Sequence, residues 1–244
     1  MKRLAYIAFI VCCIVSCSED NRCLKSLGDP ATVVDYLALP FDKIRVEDRI
    51  KMRLIQDSSQ AGKIILHGPE NLLSSIGRDV KDGELTLTNN NTCNFLRSFD
   101  YSLDVDVYIS TLSMLKVESI AEVTIKETLA FDRLEIYHNA LSDIELNVNG
   151  REIFVQSRNS ASTILHGRLR SLKASIEDVS NLDAKGVACD EVFLDSHTPI
   201  VCTMNATKGY YLNIYNTGNI EQYGRATDYE IVNKQLSTGT LVQK

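Results

Sequence analysis

Four aromatic side chains, Tyr137, Phe154, Phe193 and Tyr215, stand beside polar residues at related points of segments that recur every 19 or 20 residues. An aromatic face stacks on the apolar C–H face of a sugar while nearby hydrogen-bonding groups take its hydroxyls, so these four are candidate ligand-binding residues. Catalysis finds less material. Glu118 and Asp195 occupy one repeat position but lie four repeats apart, about 19 Å at ordinary strand spacing, beyond the reach of a retaining or inverting carboxylate pair. Asp104/Asp106 and Asp178/Asp183 read as solvated strand and turn acids. His138 and His197 are three repeats apart, too far to share a metal, and His67 and His166, each in Ile-Leu-His-Gly, read as strand ends. Gly68, Gly77 and Gly83 lack the strand-turn-helix setting of a phosphate loop, and no serine sits in Gly-x-Ser-x-Gly. No catalytic residue, metal or cofactor is expected.

Composition narrows the classes further. The chain has 244 residues, 44% apolar and 24% charged, ordinary for a globular protein. With 26 basic against 32 acidic residues it carries a formal charge of −6, so no positive field exists to hold a phosphate backbone, and nucleic-acid binding is excluded. Four histidines and no tryptophan leave little for a metal centre or an indole sugar platform.

The N-terminus supplies an address. Lys2 and Arg3 precede an apolar run from Leu4 to Val15, a basic head and short hydrophobic stretch too brief to span a bilayer. The run ends in Ile14-Val15-Ser16-Cys17, which resembles a bacterial lipobox and makes Cys17 the lipid attachment point. Residues 1–16 then form a signal peptide and 17–40 a tether. Ser18 after the cysteine resembles an outer-membrane destination, and Glu19 and Asp20 resemble surface-export signals of Gram-negative lipoproteins. The cell surface is therefore expected over the periplasmic face. Loss of Lys2 and Arg3 takes the formal charge from −6 to −8. An oxidising envelope permits disulfides among Cys23, Cys93, Cys189 and Cys202, but their spacing selects no pairing and lacks the two-pair clustering of structural zinc.

The elements that would position the aromatics are repeats. Apolar pairs two residues apart recur as Leu115/Val117, Leu134/Ile136, Ile153/Val155, Leu172/Ala174, Val192/Leu194 and Leu212/Ile214, in steps of 19, 19, 19, 20 and 20. A second set follows in each repeat: Val123 and Ile125, Ile144, Ala161, Leu182, Ile200 and Cys202, then Ile220. Period-2 alternation puts each pair on one face, and the constant step sets each strand beside its counterpart in the next repeat. The fold class is all-β: a parallel β-helix, or β-solenoid, of about six coils whose stacked faces make one core. Residues between and after each pair point outward, among them the four aromatics.

Before residue 111 the pattern changes. Lys43 to Val46, Met52 to Ile55, Lys63 to His67, Glu84 to Thr88 and Ser102 to Ile109 read as strands, Pro69 to Ile76 as a short helix, and Asn89 to Thr92 as a loop. Residues 41–110 are a β-rich N-terminal part that caps one solenoid end, 111–224 the repeats, and 225–244 a polar tail closing the other end, because open ends expose unpaired strand edges. The N-terminal strands or helix are expected to cover the outer aromatic face as well, making its rings a second core layer, since four contiguous exposed aromatics would promote association.

Three runs carry a family resemblance: Phe41-Asp42-Lys43-Ile44-Arg45-Val46, His67-Gly68-Pro69-Glu70-Asn71-Leu72-Leu73, and Val80-Lys81-Asp82-Gly83-Glu84-Leu85. In order and spacing they resemble the opening of the auto-transporter adhesin head GIN domain family, over roughly Phe41 to Gly224. The resemblance implies a β-helical, secreted or lipid-anchored envelope protein and adhesion to a glycan or an envelope protein. A structural or assembly lipoprotein with self-associating ends is the nearest rival, and a polysaccharide-degrading β-helix enzyme the second. The chain departs from the family's Ser-Gly turns, showing Ile120-Ala121, Asn139-Ala140, Arg158-Asn159, Glu177-Asp178, His197-Thr198 and Thr217-Gly218, of which only the last keeps glycine's freedom at positive φ.

Overall fold

A computed structural model describes residues 26–92, 101–125, 127–235 and 237–244. Cys17, Cys23 and Cys93 lie outside these. The chain forms a three-faced β-solenoid of about six turns. One face stacks β8 (Met114–Ser119), then the second halves of β10 (Leu129–Ala140), β11 (Asp143–Asn159), β12 (Ser162–Ile176) and β13 (Asn181–Ser196), then β15 (Ala206–Ile214) and β17 (Tyr229–Lys234), all parallel. A second face stacks β9 (Glu122–Ile125), the first parts of β11, β12 and β13, then β14 (Cys202–Met204), β16 (Ile220–Gln222) and β18 (Leu241–Gln243). The third face is made where the long strands bend between these two, at Leu129/Val148/Gly167/Val187.

Alternation explains the core. Leu115, Val117, Ile136, Ile153, Val155, Leu172, Val192, Leu194, Leu212 and Ile214 all point inward and are buried. The register departs from the even 19- and 20-residue step at both ends. Leu115 pairs with Ile136 rather than Leu134, and Val192 and Leu194 pair with Tyr210 and Leu212 rather than with Leu212 and Ile214. In the first case His138, and in the second Tyr210, is the inward residue that an aliphatic pattern passes over. Thr163, not Ala161, takes the inward place between Ile144 and Leu182, and Ile200 is exposed.

The N-terminal part is built into the solenoid as further coils. β2 (Lys43–Val46) and β3 (Lys51–Gln56) stack on β8 and β9, and β6 (Glu84–Asn89) and β7 (Asp104–Ile109) stack on the other side of β2 and β3. The coil made first is thus internal, with its backbone bonded along both edges. Beyond it the direction reverses: β4 (Lys63–Pro69) runs antiparallel on β7, β1 (Pro30–Tyr36) antiparallel on β4, and β5 (Ile76–Lys81) antiparallel on β6. A short helix, α1 (Glu70–Leu73), buries Leu72 and Leu73 against this end. The β5–β6 hairpin turns on Asp82 and Gly83, at φ 51° and 75°. Two central residues at positive φ are what a type I′ turn requires, and Asp-Gly supplies them.

Two stretches differ from their sequence reading. β1 lies within the segment taken as tether, and β17 and β18 lie within the segment taken as a polar tail, so residues 225–244 add a coil instead of closing the end. The corner turns also find another solution. Ser119, Asn159 and Asp178 hold the left-handed conformation at φ 65°, 63° and 55°, which Asn and Asp tolerate through their short polar side chains. Gly218 is needed for closeness, not positive φ, because a Cβ there would overlap the carbonyl oxygens of Ile200 and Thr198.

The third face ends at both sides on a glutamine. The Gln56 amide donates to the Ala130 carbonyl at 2.9 Å and accepts from its N–H at 2.8 Å; Gln222 does the same for Ala206, at 2.8 and 3.0 Å. Each side-chain amide thus stands in for the peptide group of an absent neighbouring strand. Gln222 is fully buried and Gln56 half-exposed. Gln222→Ala should lower the unfolding free energy by about 2 kcal/mol, because a buried N–H and C=O lose their partners, and Gln56→Ala by less than about 1 kcal/mol, because water replaces the amide. Urea denaturation of the two variants checks this ordering.

Candidate functional site

The outer side of the first face organises into three rows that run along the solenoid axis, because residues paired between parallel strands stack directly. One row reads Glu135, Phe154, Lys173, Phe193, Tyr211, Ile231; the next Tyr137, Gln156, Ser175, Asp195, Asn213, Asn233. The third follows the strand ends through Asn139, Arg158, Glu177, His197 and Tyr215, continued by bonds from His197 N to Ile176 O and from Tyr215 N to Ser196 O. The four candidate aromatics therefore share a face but not a row. Tyr137 and Phe154 meet edge to face with ring centroids 5.9 Å apart, Phe193 lies two strands along from Phe154 with Lys173 between, and Tyr215 stacks in parallel on His197 at 4.0 Å.

No described N-terminal strand covers these rings. Those strands stack on the solenoid end, so Tyr137, Phe154 and Phe193 are half-exposed and Tyr215 is exposed. The expected second core layer is not there: a strand that continues a parallel ladder takes the next place along the axis and leaves the face open. Tyr211 and His197 join the set and were missed in sequence, Tyr211 because the aliphatic pattern set Leu212/Ile214, not Tyr210/Leu212, opposite Val192/Leu194.

Electrostatics divide this face. Near the N-terminal end Arg45 reaches Glu84 at 3.0 Å and Glu118 at 2.9 Å, and Lys116 reaches Glu84 at 2.9 Å. Burial works against the Glu84 carboxylate, yet Lys116 and Arg45 hold its pKa below the ordinary value. Further along, amides replace ions: Asn213 donates to Asp195 at 2.6 Å, and Asn233 donates to Asn213 at 3.0 Å and to the Tyr211 hydroxyl at 2.8 Å. Glu118 and Asp195 fall in different rows, each with its own partner. Hydrogen bonding to Glu135, at 2.9 Å, raises the Tyr137 phenol pKa.

Among the described residues, no group of three or more His, Cys, Asp or Glu side chains converges as metal ligands do, and no helix is long and apolar enough to cross a membrane. Cys189 and Cys202 are buried free thiols whose pKa burial pushes up to about 12 and about 11. His67 and His166 lie inside β4 and β12 and not at strand ends, within reach of Asp106 (3.6 Å) and Glu145 (3.0 Å).

The geometry is that of a parallel solenoid with one antiparallel end and an open, partly aromatic flank, and comparisons with known proteins agree with that fold. The chain belongs to the family described as putative auto-transporter adhesin, head GIN domain, whose model matches residues 40–226. Among solved structures it is similar to a putative adhesin from Bacteroides fragilis, with TM-score 0.81 and 20% identity over 88% of this chain and 97% of that one. A putative adhesin from Parabacteroides merdae gives TM-score 0.69 and 17% identity, covering 91% and 98% of the two chains. A structure described as a putative lipid binding protein from Parabacteroides distasonis gives 0.67 and 14%, covering 89% and 97%. No curated protein matches the chain.

His138 points inward behind the face. It is 1% exposed, its Nδ1 lies 3.1 Å from Thr163 Oγ1 and its Nε2 3.3 Å from Ser142 Oγ, and burial lowers its pKa to about 4. The unfolded chain, at the ordinary value near 6.5, takes up the proton first, so this contribution to stability is complete above about pH 6.5 and is lost as pH falls towards 4. Between pH 7 and pH 4.5 the loss is about 2.5 kcal/mol. Urea denaturation at both pH values should show that much less pH dependence for His138→Leu than for the wild type.

Proposed function

We propose that the protein is a non-catalytic, lipid-anchored adhesin of the cell envelope that binds a glycan or a protein through the outer aromatic face of its solenoid. The observation that carries this reading is the uncovered face itself: Tyr137, Phe154, Phe193 and Tyr215, joined by Tyr211 and His197, stand in the open on a rigid ladder. Rings held by a continuous sheet lose little freedom on binding, which favours recognition. Family membership supports the adhesive role. The lipobox-like run ending in Cys17, followed by Ser18-Glu19-Asp20, supports an anchor in the outer membrane with the domain at the cell surface.

A structural lipoprotein that assembles end to end is the second reading. It is favoured by β17 and β18, each of which pairs on one side only, because such edges accept a further strand. Carboxylates of the outer face engaged by Arg45, Lys116 and Asn213 give the degradative-enzyme reading no convergent acid pair.

The mature chain, residues 17–244 carrying Cys17→Ala, should bind on glycan or envelope-protein arrays, and a Phe154→Ala/Phe193→Ala double variant that keeps its circular dichroism and melting temperature should bind at least about tenfold more weakly. Equal binding by the folded variant moves the ligand off this face; binding by neither form favours the structural reading. In cells, Cys17→Ala should shift the protein from the membrane to the soluble fraction, and retention in membranes would remove the lipid anchor.

A further inference from the structure

We infer that the aromatic face carries a trough for an uncharged, extended glycan chain lying along the solenoid axis, floored by Ser175, Asp195, Asn213 and Asn233. This rests on the adhesin reading of the same face and specifies its ligand. The trough follows from side-chain size in register. On each rung the floor residue is small and polar, with larger groups two positions to either side: Phe193 and His197 about Asp195, and Tyr211 and Tyr215 about Asn213. Residues four apart on a strand are about 13 Å apart, wide enough for a pyranose ring between the walls. At the N-terminal end the floor row rises to Tyr137, which is packed against Phe154.

The chemistry of the lining selects the ligand. Asn233, Asn213 and Asp195 form a chain of amide and carboxylate hydrogen bonds that leaves Asn213 a second N–H, leaves the Asn233 carbonyl as an acceptor and leaves the Tyr211 hydroxyl its own proton to donate. Alternating donors and acceptors beside ring faces suit a polyol with C–H faces. The flanking charges are paired off, Arg158 with Glu177 at 3.1 Å and Lys173 with Glu152 at 3.3 Å, so the trough holds no surplus cation for an acidic polymer. A peptide would be held through main-chain bonds to a free strand edge, whereas the strands beneath the floor from Ser175 to Asn213 are bonded on both sides. The rung spacing of about 4.8 Å is close to the repeat of an extended β-linked hexose chain, so successive sugars meet successive rungs of the floor.

Uncharged β-1,4-linked glucose, mannose and N-acetylglucosamine oligosaccharides of two to six residues, titrated calorimetrically into the mature Cys17→Ala chain, test this. The floor from Ser175 to Asn233 spans three rung spacings, about 14 Å. Affinity for at least one series should therefore rise at least about tenfold from two to four residues and then level off. Folded Asn213→Ala and Tyr211→Ala variants should each lose about fivefold or more, while Lys185→Ala, on another face, should not change it. Binding that does not depend on chain length, that needs sulfated or uronic-acid chains, or that is absent from all three series would overturn the trough. If an array protein instead bound and was lost with Phe154→Ala/Phe193→Ala, the adhesin reading would stand without the glycan.

Discussion

Every strand in this molecule depends on the coil beside it for its main-chain hydrogen bonds, and a buried N–H or C=O without a partner is expensive. That constraint makes the ends of the solenoid, not its middle, the demanding part of the fold. At the N-terminal end the chain reverses direction: β4 and β1 close one face and β5 another, with Leu72 and Leu73 sealing the core. On the third face no such strand is available, and Gln56 and Gln222 supply peptide-like amides instead. At the other end β17 and β18 each pair on one side only, as β1 and β5 do at the N-terminal end.

The same ladder that satisfies the backbone organises the surface. On the first face, parallel pairing places one residue of each coil in one row, so side chains about twenty residues apart in sequence stand side by side along the axis. The outer side of the first face holds an ion-paired region around Arg45, Lys116 and Glu84, and from Tyr137 to Asn233 a region where rings and amides stand among the Arg158–Glu177 and Lys173–Glu152 pairs. The inner rows are mostly aliphatic, and the polar residues that enter them bond to backbone groups, as Ser180, Thr198 and Gln222 do, or to one another. His138, Thr163 and Ser157 form such a group, with 3.0 Å between the last two hydroxyls.

Much of the architecture was legible because aliphatic residues alternate along the strands and recur every coil. The places where reading failed are those where an inward position is filled by something else. His138 and Tyr210 hid one register shift each, and Thr163 hid another inward position, because a pattern built on Leu, Ile and Val cannot count them. β1 and β17 escaped notice because their alternation is weak: both are edge strands with largely exposed side chains. Asn159 and Asp178 show that a left-handed corner does not require glycine. Of the candidate aromatics, the residue types were readable, but their grouping was not.

Composition, the 19- and 20-residue period and period-2 alternation by themselves determined that this chain is a parallel β-solenoid and that certain aromatics face outward, because those properties are local and repeat along the chain. Tertiary structure decided that β2 and β3 lie between β8–β9 and β6–β7, that the N-terminal strands cover the end and leave the flank open, and that Tyr211 and His197 join Phe193 and Tyr215 around Asp195 and Asn213. These depend on which strand pairs with which and in what register, and hydrogen bonding between distant segments settles that, with no mark in either segment read alone.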